Sequence, residues 1–174
     1  MFGFGKKKNK DAEVATPETK APRPETMILG SPVKGEIIKL ENLTDAVFSS
    51  GALGKGVGIL PSEGKIFSPV DGKIATVTGT KHAIAVESEY GVEILIHIGM
   101  DTVQLEGKYF DVHVSEGDKV TKGQLLVTFD IDGIKSEGYS TETPVVITNT
   151  DNFNELTVVD KTSIDVKEDL ITIK

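Results

Sequence analysis

The sequence is divided into many short segments rich in β-branched residues, with glycine or proline between most of them. Segments of this length, bounded by turn-forming residues, are typical of β-strands. The predicted strands are residues 35–40, 57–60, 72–77, 83–87, 92–98, 124–129, 145–148 and 156–159. The turn residues leave little room for a helix beyond a turn near residues 42–48. Many short strands joined by turns predict an all-β fold, either a sandwich or a barrel.

One segment of the sequence occurs twice in similar form. Ser31-Pro32-Val33-Lys34-Gly35-Glu36-Ile37-Ile38 and Ser68-Pro69-Val70-Asp71-Gly72-Lys73-Ile74-Ala75 share the pattern Ser-Pro-Val-x-Gly-charged-Ile. The alternative is a turn motif that occurs twice by chance. Because the period does not continue along the chain, a solenoid is excluded. The repeat predicts two similar half-sheets.

Composition changes near residue 27. Residues 1–26 mix Lys, Glu, Thr and Pro and hold few core-forming residues, so we predict a disordered tail followed by one domain over residues 27–174. The tail has six basic and four acidic residues, and the whole chain has a net charge of −8. The acidic charge therefore lies in the domain. It argues against nucleic acid as a partner and favours a basic protein partner.

The chain contains no cysteine. Thiol nucleophiles, disulfides and zinc-thiolate sites are thereby excluded, and a reducing compartment suits the composition. No apolar run approaches the ~20 residues of a membrane span, and the start lacks the apolar region of a secretory signal. We therefore expect a cytoplasmic protein. Phe2 and Phe4 beside Lys6, Lys7 and Lys8 would give the tail at most weak membrane contact.

His82 and His97 lie at the two ends of a predicted hairpin around residues 88–91. A two-residue loop would place them directly opposite each other, with Cβ atoms roughly 5 Å apart. A three-residue loop ending at Gly91 would instead align Ile84 with Ile96 on an apolar face. In that register a bulge near His82 is needed to bring the two rings together. The sequence leaves both registers open.

Two neutral imidazoles can support two kinds of chemistry. A histidine is a good nucleophile toward phosphorus when a carbonyl keeps one ring nitrogen protonated and leaves the other lone pair free. The second imidazole can donate a hydrogen bond to the transferring phosphoryl oxygens. Two histidines also suit zinc. For the third histidine, His113, we expect a structural role.

Residues around both histidines carry a close resemblance to a known family. The segments are Thr80-Lys81-His82-Ala83, Gly91-Val92-Glu93-Ile94-Leu95-Ile96-His97-Ile98-Gly99-Met100-Asp101-Thr102-Val103, Leu105-Glu106-Gly107-Lys108-Tyr109-Phe110 and Thr143-Pro144-Val145-Val146-Ile147-Thr148-Asn149. They resemble the glucose-family IIA component of the phosphoenolpyruvate-dependent sugar phosphotransferase system. The resemblance covers essentially everything beyond the tail. It implies an antiparallel β-sandwich of two similar halves, of the duplicated hybrid motif type, with little helix.

The resemblance also implies roles for particular residues. His97 would accept a phosphoryl group on Nε2 from the phosphohistidine of HPr and pass it to a cysteine of a IIB domain. His82 would be its hydrogen-bonding partner, and Thr80 would orient the His82 ring. The backbone carbonyl at or near Gly99 would fix the tautomer of His97. Because the chain lacks cysteine, the IIB domain is expected on a separate protein.

Further residues are expected to contact partner proteins. Asp45 and Asp101 would pair with arginines of HPr, while Val47, Phe48 and Leu95 would form an apolar docking ring. No cofactor is required by this chemistry, although His82 and His97 are candidate ligands for an incidental zinc ion. The sugar carried by the partner permease is not specified by these residues.

Three other functions compete with this interpretation. A zinc peptidase of the lysostaphin type needs a His-x-His pair, whereas Leu95 and Gly99 flank His97 at that spacing. A biotinyl or lipoyl carrier needs a lysine at a hairpin tip, and Glu89-Tyr90 occupies the clear tip. A regulatory docking protein that responds to phosphorylation is compatible with the first function. One departure from the family pattern is Thr78, where some relatives have an aromatic residue.

Overall fold

The computed structural model describes residues 22–174. Fourteen strands lie within these residues. They are β1 (Met27–Gly30), β2 (Gly35–Lys39), β3 (Lys55–Pro61), β4 (Lys65–Phe67), β5 (Gly72–Val77), β6 (Ala83–Ser88), β7 (Glu93–His97), β8 (Phe110–Val112), β9 (Lys119–Val120), β10 (Leu125–Phe129), β11 (Thr143–Ile147), β12 (Leu156–Val158), β13 (Ser163–Ile164) and β14 (Asp169–Ile173). Each of the eight predicted strands coincides with one of them.

Two short α-helices and three 3-10 turns connect the strands. They are α1 (Ala46–Ser49), α2 (Ile131–Ser136) and the turns Leu40–Asn42, Thr102–Leu105 and Thr150–Asn152. The turn expected near residues 42–48 corresponds to the first 3-10 turn and α1. Little further helix was predicted, and α2 is short: it begins after Asp130, whose carboxylate accepts a hydrogen bond from the Gly133 N–H at 3.0 Å. That N-cap stabilises a helix too short to show an amphipathic period.

The strands form one sheet of eight, ordered β13-β2-β3-β11-β7-β6-β5-β9, and two sheets of three, ordered β1-β14-β12 and β4-β10-β8. Every pairing among them is antiparallel. Alternate residues of β7 point inward and are buried, as Ile94 and Ile96 show, whereas His97 is only partly buried. The predicted antiparallel sandwich is confirmed.

The order of the sheets shows that the fold consists of two similar halves. Read from the two edges of the large sheet, β13, β2, β3 and β11 correspond to β9, β5, β6 and β7, and the two small sheets correspond to each other. The repeated sequence segment lies at equivalent places. The hydroxyl of Ser31 donates to the carbonyl of Val33 at 2.7 Å, and that of Ser68 donates to the carbonyl of Val70 at the same distance. The sequence repeat is therefore a structural repeat.

The hairpin of β6 and β7 adopts the register with a three-residue loop. Ile84 lies opposite Ile96, and the N–H of Ser88 donates to the carbonyl of Val92 at 2.9 Å. Gly91 closes the loop with φ of 81°, in the left-handed region. This register places the isoleucines in the core, and burial of that apolar face favours it over the alternative.

The disordered tail expected over residues 1–26 falls mainly on residues 1–21, which lie outside the described residues. The same holds for the membrane contact expected of Phe2, Phe4 and the lysines that follow. The first described strand begins at Met27. No helix within residues 22–174 is long and apolar enough to cross a membrane.

Candidate functional site

His82 and His97 lie side by side on the outer face of the large sheet. Their ring centroids are 4.8 Å apart, and the ring planes meet at 81°. His97 is the last residue of β7, and His82 directly precedes β6. The structure therefore brings together the two histidines that the sequence singled out.

A turn before β6 brings His82 to this position. Ala83 lies opposite His97, and the carbonyl of His82 accepts a hydrogen bond from the Ile98 N–H at 2.7 Å. A regularly pleated strand would then point His82 to the opposite face from His97. Lys81 instead has φ of 61° and ends a tight turn. The expected bulge is replaced by this turn, since the pairing of β6 with β7 is regular.

One ring nitrogen of His97 is held by a backbone carbonyl. The distance from Nδ1 of His97 to the carbonyl oxygen of Gly99 is 2.7 Å. A carbonyl oxygen can only accept a hydrogen bond, so Nδ1 carries the proton and Nε2 has a free lone pair. Gly99 has φ of 77°, and a Cβ atom there would lie 2.7 Å from the carbonyl oxygen of Ser140. Only glycine fits this backbone without displacing a neighbour.

The ring of His82 is held by hydroxyl groups. Nδ1 of His82 lies 2.7 Å from Oγ1 of Thr80 and 3.5 Å from Oγ1 of Thr78. Because these contacts occupy Nδ1, the other nitrogen of His82 is left for a ligand. Each histidine thus has its Nδ1 engaged by the protein.

Burial lowers the pKa of both histidines. For His82, burial first and the neighbouring His97 second lower the pKa from 6.5 to about 4. For His97, burial lowers the pKa, while the hydrogen bond to Gly99 and the charges of Asp45 and Asp101 act in the opposite direction. Both imidazoles are therefore neutral at neutral pH, which a nucleophilic histidine requires.

An apolar cluster lies against the histidines. The ring of Phe48 is 5.0 Å from that of His97, and Phe48 is only 5% exposed. It belongs to a small buried cluster, and the partly buried Leu95 packs against that cluster. The cluster consists of Leu43, Phe48, Met100 and Val146. Phe48 is thus a wall of the site, and its burial leaves it little surface for the docking ring expected from sequence.

The other residues expected to contact partners lie near this wall. Val47 is 53% exposed, and Asp45 caps α1 by accepting a hydrogen bond from the Val47 N–H at 2.8 Å. Asp101 is exposed in a left-handed conformation with φ of 56°. Sequence reasoning missed Met100 and Val146. No local sequence signal indicated Val146, because it adjoins the site by pairing with Leu95, which is distant in sequence.

The described residues do not provide a set of ligands for a catalytic metal. Residues 22–174 contain no group of three or more His, Cys, Asp or Glu side chains placed to hold an ion. Catalytic zinc sites use three protein ligands. The two imidazoles alone fall short of that number.

The fold and the site define a class: an antiparallel β-sandwich of two similar halves that presents two neutral, adjacent imidazoles beside an apolar wall. Comparison with known proteins is consistent with this class. Residues 27–153 match the model of the family described as phosphoenolpyruvate-dependent sugar phosphotransferase system, EIIA 1. The glucose permease IIA from Mycoplasma capricolum superimposes with a TM-score of 0.79 at 32% identity, covering 86% of this chain and 96% of that one.

Curated relatives agree. The chain is 45% identical over 148 residues to the glucose-specific EIIA component of Oceanobacillus iheyensis, covering 85% of this chain and 90% of the relative. It is 49% identical over 146 residues to the beta-glucoside-specific EIIBCA component of Bacillus subtilis, of which it spans only 24%. The chain belongs to the EIIA 1 family of the phosphoenolpyruvate-dependent sugar phosphotransferase system.

Proposed function

We propose that this chain accepts a phosphoryl group on Nε2 of His97 from phospho-HPr and passes it to a cysteine of a IIB domain during sugar uptake. The observation that carries the proposal is the 2.7 Å contact between Nδ1 of His97 and the Gly99 carbonyl. It keeps the proton on Nδ1 and leaves the Nε2 lone pair free in a neutral ring.

The transfer steps balance without a further reactant. The Nε2 lone pair of His97 attacks phosphorus, the bond between phosphorus and the HPr imidazole breaks, and its electron pair stays on the HPr nitrogen. A IIB thiolate then attacks phosphorus, and the pair of the breaking N–P bond returns to Nε2 of His97. The proton on Nδ1 stays in its hydrogen bond to Gly99 throughout. Positioning and electrostatic stabilisation account for most catalysis of such transfers.

His82 and Thr80 act as helpers in this proposal. In this proposal the Thr80 hydroxyl, 2.7 Å from Nδ1 of His82, donates to that nitrogen, and the ring proton of His82 lies on Nε2. That N–H donates to a phosphoryl oxygen as negative charge moves between donor and acceptor. The 4.8 Å separation of the rings leaves the oxygens of a group on His97 within reach of His82.

Partner recognition follows from the surface around the histidines. Asp45 and Asp101, whose charges act on His97, pair with arginines of HPr in this proposal. Val47, exposed next to the buried Phe48, and Leu95 supply the apolar contact. The net charge of −8 speeds encounter with a basic partner.

The acceptor thiol must lie outside these 174 residues, because they contain no cysteine. A separate IIB domain in the cytoplasm fits this requirement, and residues 27–174 form the IIA domain in this proposal. The names of the relatives refer to two classes of sugar, glucose and beta-glucosides. Phosphoryl transfer to the IIB domain of each kind of permease, measured in parallel, decides between them.

The deciding experiment is incubation with phosphoenolpyruvate, enzyme I and HPr, followed by measurement of acid-labile phosphate on the chain. Wild type takes up one phosphate, His97→Ala takes up none, and His82→Gln is labelled but transfers slowly to IIB. His113→Ala is the matched control, because His113 is an exposed histidine that contacts Thr128 at 3.1 Å. Undiminished labelling of His97→Ala would overturn the proposal.

A further inference from the structure

The turn that directs His82 toward His97 is closed by Thr78. The N–H of Thr78 donates to the carbonyl of Ala83 at 3.1 Å, and the N–H of Lys81 donates to the carbonyl of Thr78 at 2.9 Å. These backbone bonds form a compact loop that contains His82. Lys81, within this loop, has a left-handed backbone, and His82 directly follows it.

The side chain of Thr78 adds contacts that the backbone cannot make. Its Oγ1 accepts a hydrogen bond from the Ala83 N–H at 3.2 Å. The same hydroxyl lies 3.2 Å from the Ala83 carbonyl and 3.5 Å from Nδ1 of His82. A hydroxyl has one proton, and a carbonyl oxygen can only accept a hydrogen bond. The Thr78 proton therefore goes to the Ala83 carbonyl.

Thr78 and Thr80 thus hold different parts of His82. Thr80 holds the ring, whereas Thr78 holds the backbone on the C-terminal side of the residue. Ala83 is 5% exposed and lies opposite His97 in the sheet. Without the Thr78 hydroxyl, its buried N–H would lose the acceptor that fixes the start of β6 against the end of β5.

We propose that Thr78 is a positioning residue, which fixes the backbone of His82 so that its Nε2 points at the phosphoryl group carried by His97. The inference rests on the proposed function. Positioning by a neighbouring residue is a common cause of large rate effects in such sites.

The test compares Thr78→Val, which keeps the branched shape but removes the hydroxyl, with Thr78→Ser, which keeps the hydroxyl. Transfer of phosphate from the labelled chain to IIB is expected to be about fivefold slower in Thr78→Val, the worth of about one hydrogen bond. Thr78→Ser is expected within about twofold of wild type. Thr76→Val, the same change at an exposed position of β5, is the matched control and transfers normally.

A second readout does not depend on phosphate. Nitrogen NMR of the His82 ring is expected to show one tautomer, protonated on Nε2, in wild type and Thr78→Ser. A mixture is expected in Thr78→Val, because a displaced His82 backbone moves the ring away from the Thr80 hydroxyl that holds its Nδ1. Wild-type transfer by Thr78→Val, or equal slowing of Thr78→Ser, overturns the positioning role. If wild type takes up no label, the proposed function fails, and the NMR comparison alone decides the role: unchanged ring signals in Thr78→Val overturn it.

Discussion

Replacing Gly99 by alanine tests the backbone that holds His97. Gly99 and Gly91 both have left-handed backbones, with φ of 77° and 81°. A Cβ on Gly91 meets nothing within 4 Å, whereas a Cβ on Gly99 lies 2.7 Å from the carbonyl oxygen of Ser140 and 2.5 Å from Cγ2 of Thr102. Gly91→Ala is therefore a matched control that shares the conformational cost and lacks the collision.

The size of the difference follows from these contacts. Both variants lose about 1 kcal/mol of stability to the left-handed conformation of alanine. In Gly99→Ala the Ser140 carbonyl must also move, and it accepts a hydrogen bond from the buried Met100 N–H at 3.0 Å. Leaving a buried N–H unpaired costs about 1–3 kcal/mol. We expect Gly99→Ala to be less stable than Gly91→Ala by about 2 kcal/mol, which lowers Tm by about 4–8 °C for a domain of this size.

Thermal unfolding measures this difference, and labelling from phospho-HPr below both melting temperatures measures its effect on His97. The moved Gly99 carbonyl should weaken the hydrogen bond to Nδ1 of His97 and slow labelling, while Gly91→Ala labels normally. Equal melting temperatures for the two variants would refute the packing argument. Normal labelling of Gly99→Ala would refute the role of the carbonyl.

Three further outcomes are expected. Phe48→Ala should lose about 3–5 kcal/mol in urea unfolding because the ring is buried, whereas Val47→Ala should change stability by about 0.5 kcal/mol or less; equal losses would contradict the burial difference. Because the pKa of His82 is lowered from 6.5 to about 4, the unfolded chain binds more protons between these values. The stability that His82 contributes is then complete above pH 6.5 and is lost as the pH falls toward 4; calorimetry should show a shallower pH dependence in His82→Gln. Asp45→Asn removes a charge that raises the pKa of His97, so NMR titration should find a lower pKa for His97, and an unchanged value would contradict that coupling.

Local patterns in the sequence were sufficient to predict the class of fold. Short segments rich in β-branched residues, between glycines and prolines, correspond to strands. The alternation of buried and exposed residues that marks a strand can be recognised within a few neighbouring residues. The repeated Ser-Pro-Val segment similarly predicted two halves, since each serine closes its own local turn. Strands β1, β4, β8, β9, β13 and β14 and helix α2 were missed. These six strands have at most five residues each, and none of them pairs with the strand next to it along the chain.

The sequence also predicted that His82 and His97 belong together, but the geometry of the pair was decided by the tertiary structure. Both hairpin registers were compatible with the local pattern, and burial of Ile84 against Ile96 selected one of them. That register alone would separate the rings, because adjacent residues of a strand point to opposite faces. The left-handed turn at Lys81, closed by Thr78, reverses this.

The sequence by itself therefore determined the chemical groups: two histidines, a glycine after the second and hydroxyls before the first. Their relative positions depended on the packing of residues distant in sequence. Phe48 comes from α1, Val146 from β11 and the Ser140 carbonyl from the segment before β11, and all three adjoin the site only in the folded chain. Such contacts are set by the burial of the whole sheet, which no local pattern encodes.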